Sequence, residues 1–177
     1  MNIRKVSLAF MAFAMAFSLS AYDFISSNLA YKINADGQSV TVTSLGSGNS
    51  QYGYPSSLTG NLKIPVALAE GGKTYTVTAI DDYAFYNCSG LTNVKLPSSL
   101  KSIGNYAFYG CSGLTDVIIP ASVEAIGNYT FYGCSSISSI TVGKGVKRIG
   151  VSTFIGCAAI TSVTWNVVNL ANQVMGS

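Results

Sequence analysis

The sequence predicts a β-rich solenoid of 23-residue coils stacked behind an N-terminal β-hairpin cap. Three observations predict it. Cysteines fall at 88, 111, 134 and 157, at one constant interval. Phe85, Phe108, Phe131 and Phe154 keep the same interval, as do Ile80, Ile103, Ile126 and Ile149. Leu91, Leu114, Ile137 and Ile160 repeat it again, together with Val94, Val117, Ile140 and Val163. Self-similarity at a fixed period of about 20–30 residues marks units that bury a continuous core only by stacking on their neighbours.

Composition narrows the function classes. The chain of 177 residues is 49% hydrophobic and 10% charged, against roughly 25% charged in an average soluble domain. It contains no histidine, which excludes Ser-His-Asp and Cys-His catalysis and any histidine-ligated metal. A formal charge of +3 with no basic run gives no nucleic-acid footprint.

The first element is a leader over residues 1–21. Arg4 and Lys5 precede an apolar run from Val6 to Phe17, and small residues follow at Ser18, Ser20 and Ala21. A basic start, a short apolar centre and a small-residue exit are the parts of a cleaved secretory signal peptide. The run is shorter than the about 20 residues a membrane span requires, so no span is expected in the mature chain. Export places the protein outside the cell or on its surface. Without Arg4 and Lys5, eight basic and seven acidic side chains remain, a formal charge of +1.

Residues 22–75 lack the period and read as the β-rich cap. Tyr31 to Thr43 alternates apolar and polar residues around Asp36-Gly37, a two-residue hairpin signal. Leu62–Val66 and Tyr75–Ile80 flank Glu70–Lys73, a second hairpin candidate. Residues 44–60, rich in Ser, Gly, Asn and Tyr, read as an exposed loop.

The repeat array covers residues 76–165. In the unit from Leu91 to Gly113, the spacing of Leu91, Val94 and Leu96 turns alternate side chains inward from a short strand. Pro97 ends that strand because it has no N–H for the ladder. Leu100 and Ile103 return along the opposite wall, Gly104 makes a corner, and Tyr106–Tyr109 is expected to form one helical turn that drops Phe108 into the core. Gly110, Gly133, Gly156 and Asn87 share one position, expected to be left-handed.

This unit resembles the BspA-type leucine-rich repeat family through the motif L-x-x-V-x-L-P-x-S-L-x-x-I-G-x-x-A-F-x-x-C, over about residues 76–165. The resemblance implies a leucine-rich repeat solenoid, export, and a surface or secreted role in binding other proteins, as in adhesins of mucosal bacteria. It implies no catalytic residues. The fourth repeat departs from the pattern at Gly143, Ser152, Thr153 and Ile155, as expected near an array end.

The remaining columns supply the site candidates. Equivalent cysteines in successive coils point the same way into the core and are expected to be free thiols rather than disulfides. Ligands spaced one per coil do not surround an ion, so neither a metal nor a cofactor is expected. Lys101, Glu124 and Lys147 read as a solvated charge ladder. Asp81 and Asp82 lack the cleft of a carboxylate pair, so no enzyme is expected.

Two surfaces remain. The outward positions of the first strand are Asn93, Asp116 and Ser139 in one column, continued by Ser162, and Lys95, Ile118 and Thr141 in another, continued by Thr164. The resemblance implies a protein partner there, of the kind a host surface or matrix protein would provide. Tyr83, Tyr106 and Tyr129, with Tyr86, Tyr109 and Tyr132, form a stripe. It reads either as stacked packing or as an aromatic surface for protein or glycan. The next cysteine of the series would fall beyond Ser177. Residues 166–177 therefore read either as a cap or as a partial coil whose open edge permits weak self-association.

Overall fold

The computed structural model describes residues 22–45 and 58–166. The expected leader over 1–21, most of the expected loop over 44–60 and residues 167–177 lie outside the described residues.

The chain enters as β1 (Phe24–Ser26) and β2 (Leu29–Ile33), antiparallel about Ser27 and Asn28. The strand β3 (Ser39–Thr43) then pairs antiparallel with β2. Asp36 and Gly37 lie in that turn, but the loop is longer than the expected pair. The Asn34 N–H donates to Ser39 O at 2.9 Å, and the Gly37 N–H to Asn34 O at 2.8 Å. The Asp36 carboxylate supports the loop by accepting the N–H groups of Gln38 and Ser39, both at 2.8 Å. These bonds hold its carboxyl below the usual carboxylate range.

The second hairpin has the expected turn and a different first strand. Gly71 and Gly72, at φ 57° and 77°, join β5 (Ala67–Glu70) to β6 (Lys73–Ile80). Of the segment Leu62–Val66, only the end reaches β6, where Val66 O accepts the Val77 N–H at 2.9 Å. Leu62 and Lys63 belong to β4 (Gly60–Lys63), which pairs in parallel with β7 (Leu91–Lys95). The reason is legible in retrospect: Lys63-Ile64-Pro65 echoes Lys95-Leu96-Pro97. Leu62 lies opposite Val94, farther along the chain than the single repeat that sets Ile80 opposite Ile103. The β5 hairpin accounts for the difference.

Beyond β6 the coils have three walls. One wall continues the sheet of the N-terminal hairpins: β3 pairs in parallel with β6, which is followed by β8 (Ser102–Ile103), β10 (Ala125–Ile126) and β12 (Arg148–Ile149). A second is formed by β4 and β7, then β9 (Asp116–Ile119), β11 (Ser139–Val142) and β13 (Ser162–Trp165). The Thr115 N–H donates to Thr92 O at 3.2 Å, joining its two ladders. The third wall has no strand. Alternate N–H groups there bond to the following coil, as from Tyr106 to Asn128 O at 2.9 Å and from Phe108 to Thr130 O at 2.9 Å.

That third wall corrects the expected helical turn. No helix occurs among the described residues. Tyr83, Tyr106, Tyr129 and Ser152 are left-handed, with φ between 54° and 58°, which breaks a right-handed helix at its first residue. Alternate N–H groups bond between coils instead, while the Tyr109 N–H closes a turn on Tyr106 O at 3.1 Å. The expected left-handed column is present: Asn87, Gly110, Gly133 and Gly156 have φ of 57°, 68°, 71° and 80°.

The core runs along the axis. Phe85, Phe108 and Phe131 are fully buried and stack with centroids 4.9 and 5.3 Å apart, Phe154 following at 5.7 Å. The four cysteines are buried thiols outside any disulfide. Cys111, Cys134 and Cys157 donate S–H to the carbonyls of Phe85, Phe108 and Phe131 at 3.1, 3.1 and 3.2 Å. Thr130 and Thr153 replace alanine without leaving a buried hydroxyl unsatisfied. Thr130 donates to Gly104 O or Gly127 O, and Thr153 to Gly127 O or Gly150 O. The last described coil leaves its inward Val163 and Trp165 45% and 42% exposed.

Burial raises the thiol pKa values, to about 12 at Cys134 and about 11 at Cys157, from an ordinary 9.0. At pH 8 all four thiols are expected to resist a thiol reagent until urea is added, with Cys157 at the column's end the first to react. The linkage has a definite sign. Above about pH 9 the unfolded chain releases thiol protons that the folded chain retains, so stability falls as pH rises toward 12. Tyr31, fully buried and raised to about 12, acts in the same direction. Urea unfolding midpoints across this range check it.

Candidate functional site

On the strand wall, register decides which outward residues meet. Ser139 lies opposite Asp116, and Thr141 opposite Ile118. The Ser139 hydroxyl donates to Asp116, as does Thr115 Oγ1 at 3.0 Å. Both bonds hold the Asp116 carboxyl below its usual range. Asp116 and Ser139 are therefore tied to each other, while Ile118 projects from the middle of the wall, 66% exposed. Asn93 and Lys95 on β7 are exposed as well. The β4–β7 pairing adds two residues the sequence reading missed, with Asn61 opposite Asn93 and Lys63 opposite Lys95. The signal was the Lys-Ile-Pro echo, hidden by the change of spacing.

The tyrosine wall is more regular. Tyr83, Tyr106 and Tyr129 stack at 4.8 and 5.0 Å, and Tyr86, Tyr109 and Tyr132 at 4.9 and 5.0 Å. Across the two rows, rings within one coil are 5.8 Å apart and tilted by 47–55°. All six are half-buried.

Beside this stripe runs a corner ladder that the sequence reading did not single out. Asp82 Oδ1 accepts the Asn105 N–H at 2.6 Å, Asn105 Oδ1 that of Asn128 at 2.8 Å, and Asn128 Oδ1 that of Val151 at 2.9 Å. Residues 82, 105 and 128 share the period, so the column was visible. Its role was not, because a side chain bonding the next coil's backbone requires knowledge of the corner.

The remaining polar candidates are structural. Asp81 Oδ2 accepts from Thr43 Oγ1 at 3.1 Å and from Lys32 Nζ at 3.4 Å, tying the first hairpins to the coils. Asp82 is occupied by the Asn105 N–H and side-chain amide, so both carboxylates serve as acceptors for neighbouring segments. In the charge ladder, Glu124 meets Lys147 at 2.8 Å, and both are exposed. That bond and the Lys147 charge, with Lys101 nearby, lower the Glu124 carboxyl. Among the described residues no group of three or more His, Cys, Asp or Glu could hold a metal ion. The described residues contain no helix long and apolar enough to cross a membrane.

Comparison with known proteins agrees with this architecture. The family model described as a BspA type leucine rich repeat region matches residues 73–174, in six copies. The chain belongs to the BspA-type leucine-rich repeat family. Among solved structures, this BspA-type chain is similar to a leucine-rich repeat protein from Bacteroides capillosus. They share 28% identity at a TM-score of 0.67, over 80% of this chain and 96% of that one. A leucine-rich repeat protein from Bacteroides ovatus is similar at 26% identity and a TM-score of 0.56, over 81% of this chain and 41% of that one. The T. pallidum leucine rich repeat protein shares the fold at 22% identity and a TM-score of 0.58, over 80% and 70% of the two chains. No curated protein matches the sequence.

Proposed function

We propose that this BspA-type leucine-rich repeat protein is exported and binds a protein partner through its strand wall, in adhesion or another contact at the cell surface. On this reading residues 1–21 direct export and are removed. The hairpins of 22–75 cap the array, and 23-residue coils over 76–165 present the binding wall. Residues 166–177 follow as a partial coil or cap.

The observation that carries the reading is Ile118. It is the most exposed large hydrophobic side chain among the described residues, and it stands on a rigid parallel ladder between Lys95 and Thr141, with Asp116 beside it. An apolar anchor within a polar rim is how interaction surfaces concentrate affinity. The flanking Lys95 and Asp116 supply charge of both signs, which favours orientation of a partner over bulk attraction.

The test is a binding measurement of the mature chain against purified surface and matrix proteins. Ile118→Asp is expected to lower affinity for whichever is bound by about 30-fold, the effect of losing a central anchor worth about 2 kcal/mol. Its melting temperature is expected to stay unchanged. A partner held equally well by the variant does not use this wall.

A further inference from the structure

Resting on the strand wall as the binding surface, we infer that its partner presents an acidic segment and that one carboxylate of that segment is held between Lys63 and Lys95. A pair of like charges in register carries this. Lys63 lies opposite Lys95 across the parallel β4–β7 ladder, and both side chains are exposed. Neighbouring strands are about 4.8 Å apart, and like charges directly opposite each other are destabilising. Nothing on the wall compensates them. The ion pairs among the described residues are Lys32–Asp81 and Lys147–Glu124, and neither Lys63 nor Lys95 belongs to one. The only carboxylate on β4, β7, β9, β11 and β13 is that of Asp116, and it already accepts from Ser139 and Thr115 Oγ1.

A second charge column in the same molecule shows the contrast. Lys101, Glu124 and Lys147 share the repeat period and alternate in sign, and Glu124 meets Lys147 at 2.8 Å. That column satisfies itself. The strand-wall column runs Lys63, Lys95, Ile118, Thr141 and Thr164, so its two charges repeat in sign and its remaining members are neutral. Its lysines gain a counter-charge only from outside the chain. Their flexible stems let the two ammonium groups spread apart in the free protein and converge on one carboxylate when it arrives.

The rest of the column selects a protein segment over a polyanion. A long polyanion is held by a run of basic side chains matched to its repeating charges. Here the column turns apolar at Ile118, one coil after Lys95, and carries hydroxyls beyond it. An acidic residue close to an apolar one matches that sequence of side chains. The acid meets the lysine pair, and the apolar side chain meets Ile118.

Strand spacing sets how far apart those two residues stand. Lys95 and Ile118 are one coil step apart, the step that the Thr115 N–H makes to Thr92 O. With strands about 4.8 Å apart, the midpoint of the lysine pair lies about 7 Å from Ile118 along the wall. In an extended chain, side chains two residues apart point the same way and are also about 7 Å apart. The acidic and apolar residues of the partner therefore stand two positions apart, in an extended segment that crosses the strands along the axis of the coils.

The experiment titrates two short threonine-rich peptides, with Glu two positions before or two positions after Leu, into the full chain. Backbone amide shifts are followed by NMR, which reads weak binding and its place. Saturable shifts at Lys63 and Lys95 are expected with at least one of the peptides. Replacing its Glu by Gln is expected to weaken binding about tenfold, as is the double variant Lys63→Gln, Lys95→Gln. The double variant Lys63→Arg, Lys95→Arg keeps the charge and is expected to bind as the parent does. Neither double variant is expected to melt below the parent, since no favourable contact is removed. The inference is overturned by any of four results: no saturable shifts at the two lysines, equal binding of the Gln peptide, equal binding by the Lys→Gln double variant, or tighter binding of a sulfated oligosaccharide at the same amides. Ile118→Ser separates this inference from the wider reading of the wall. If it weakens the peptide while the Lys→Gln variant does not, the wall binds but not through an acid. If the Lys→Gln variant weakens the peptide while Ile118→Ser does not, the acidic contact stands and Ile118 is not the anchor.

Discussion

Phe108→Ala is expected to destabilise the protein by about 3–5 kcal/mol, the range for truncating a fully buried phenylalanine. Phe108 stacks on Phe85 at 4.9 Å and on Phe131 at 5.3 Å, and its backbone N–H bonds to Thr130 O. Collapse around the cavity is blocked from both directions. The neighbouring rings are fixed by their own coils, whose spacing is set by backbone hydrogen bonds. Phe154→Ala is the informative control. Phe154 is only half-buried, and its one stacking partner among the described rings is Phe131, at 5.7 Å. Its loss is expected to be less than half as damaging. Urea unfolding followed by circular dichroism measures both, with the slope checked because repeat arrays can unfold in parts. Equal losses at the two positions would mean that stacking along the axis does not concentrate stability in the middle coils.

The same stacking explains which parts of the fold were legible in the sequence. A position that points inward in one coil points inward in the next, so Phe, Cys and Ile columns report the core directly. The tyrosine rows were legible for that reason, and their rings do stack. Three things were hidden, each for a physical cause. The pairing of β4 with β7 escaped notice because the β5 hairpin shifts Leu62 out of period. The third wall looked helical because Tyr106 and Tyr109 lie one helical turn apart in sequence, a spacing that a left-handed residue followed by a turn produces equally well. The ladder of Asp82, Asn105 and Asn128 read as ordinary polar surface, since nothing in a sequence shows that an amide oxygen will receive the next coil's N–H. The candidate sites divide in the same way. Columns show which residues share a wall. They do not show that Asp116 and Ser139 are bound to each other while Ile118 stands clear.

Gly127→Ala is the second substitution expected to have a large effect, and the corner ladder is the reason. Gly127 is not left-handed, so conformational freedom does not explain it. An added Cβ would lie 2.5 Å from the Asn105 nitrogen and 2.6 Å from the Gly104 carbonyl carbon. Both are backbone atoms of the preceding coil, and a rotamer change does not move them. Gly104 and Gly150 face the same obstruction, with Asp82 N at 2.5 Å and Asn128 N at 2.3 Å. These glycines let successive corners approach closely enough for the Asn105 and Asn128 carbonyl oxygens to reach the next coil. Alanine at 127 must separate the coils and weaken these bonds. A loss of about 3 kcal/mol or more is expected, at or beyond the upper end for overpacking because no side chain can yield. Gly133→Asn provides the contrast within the same coil. Gly133 is left-handed at φ 71°, and its Cβ would meet nothing nearer than Gly110 Cα at 3.9 Å. Asn87 already occupies the equivalent position at φ 57°. Its effect is expected to be about 1 kcal/mol or less. Comparing the two unfolding midpoints decides between close approach and backbone freedom as the reason for glycine in this repeat. If Gly127→Ala unfolds at the same midpoint as Gly133→Asn, the corners do not need their close contact. The ladder beside the tyrosine wall would then be incidental to the packing of the coils.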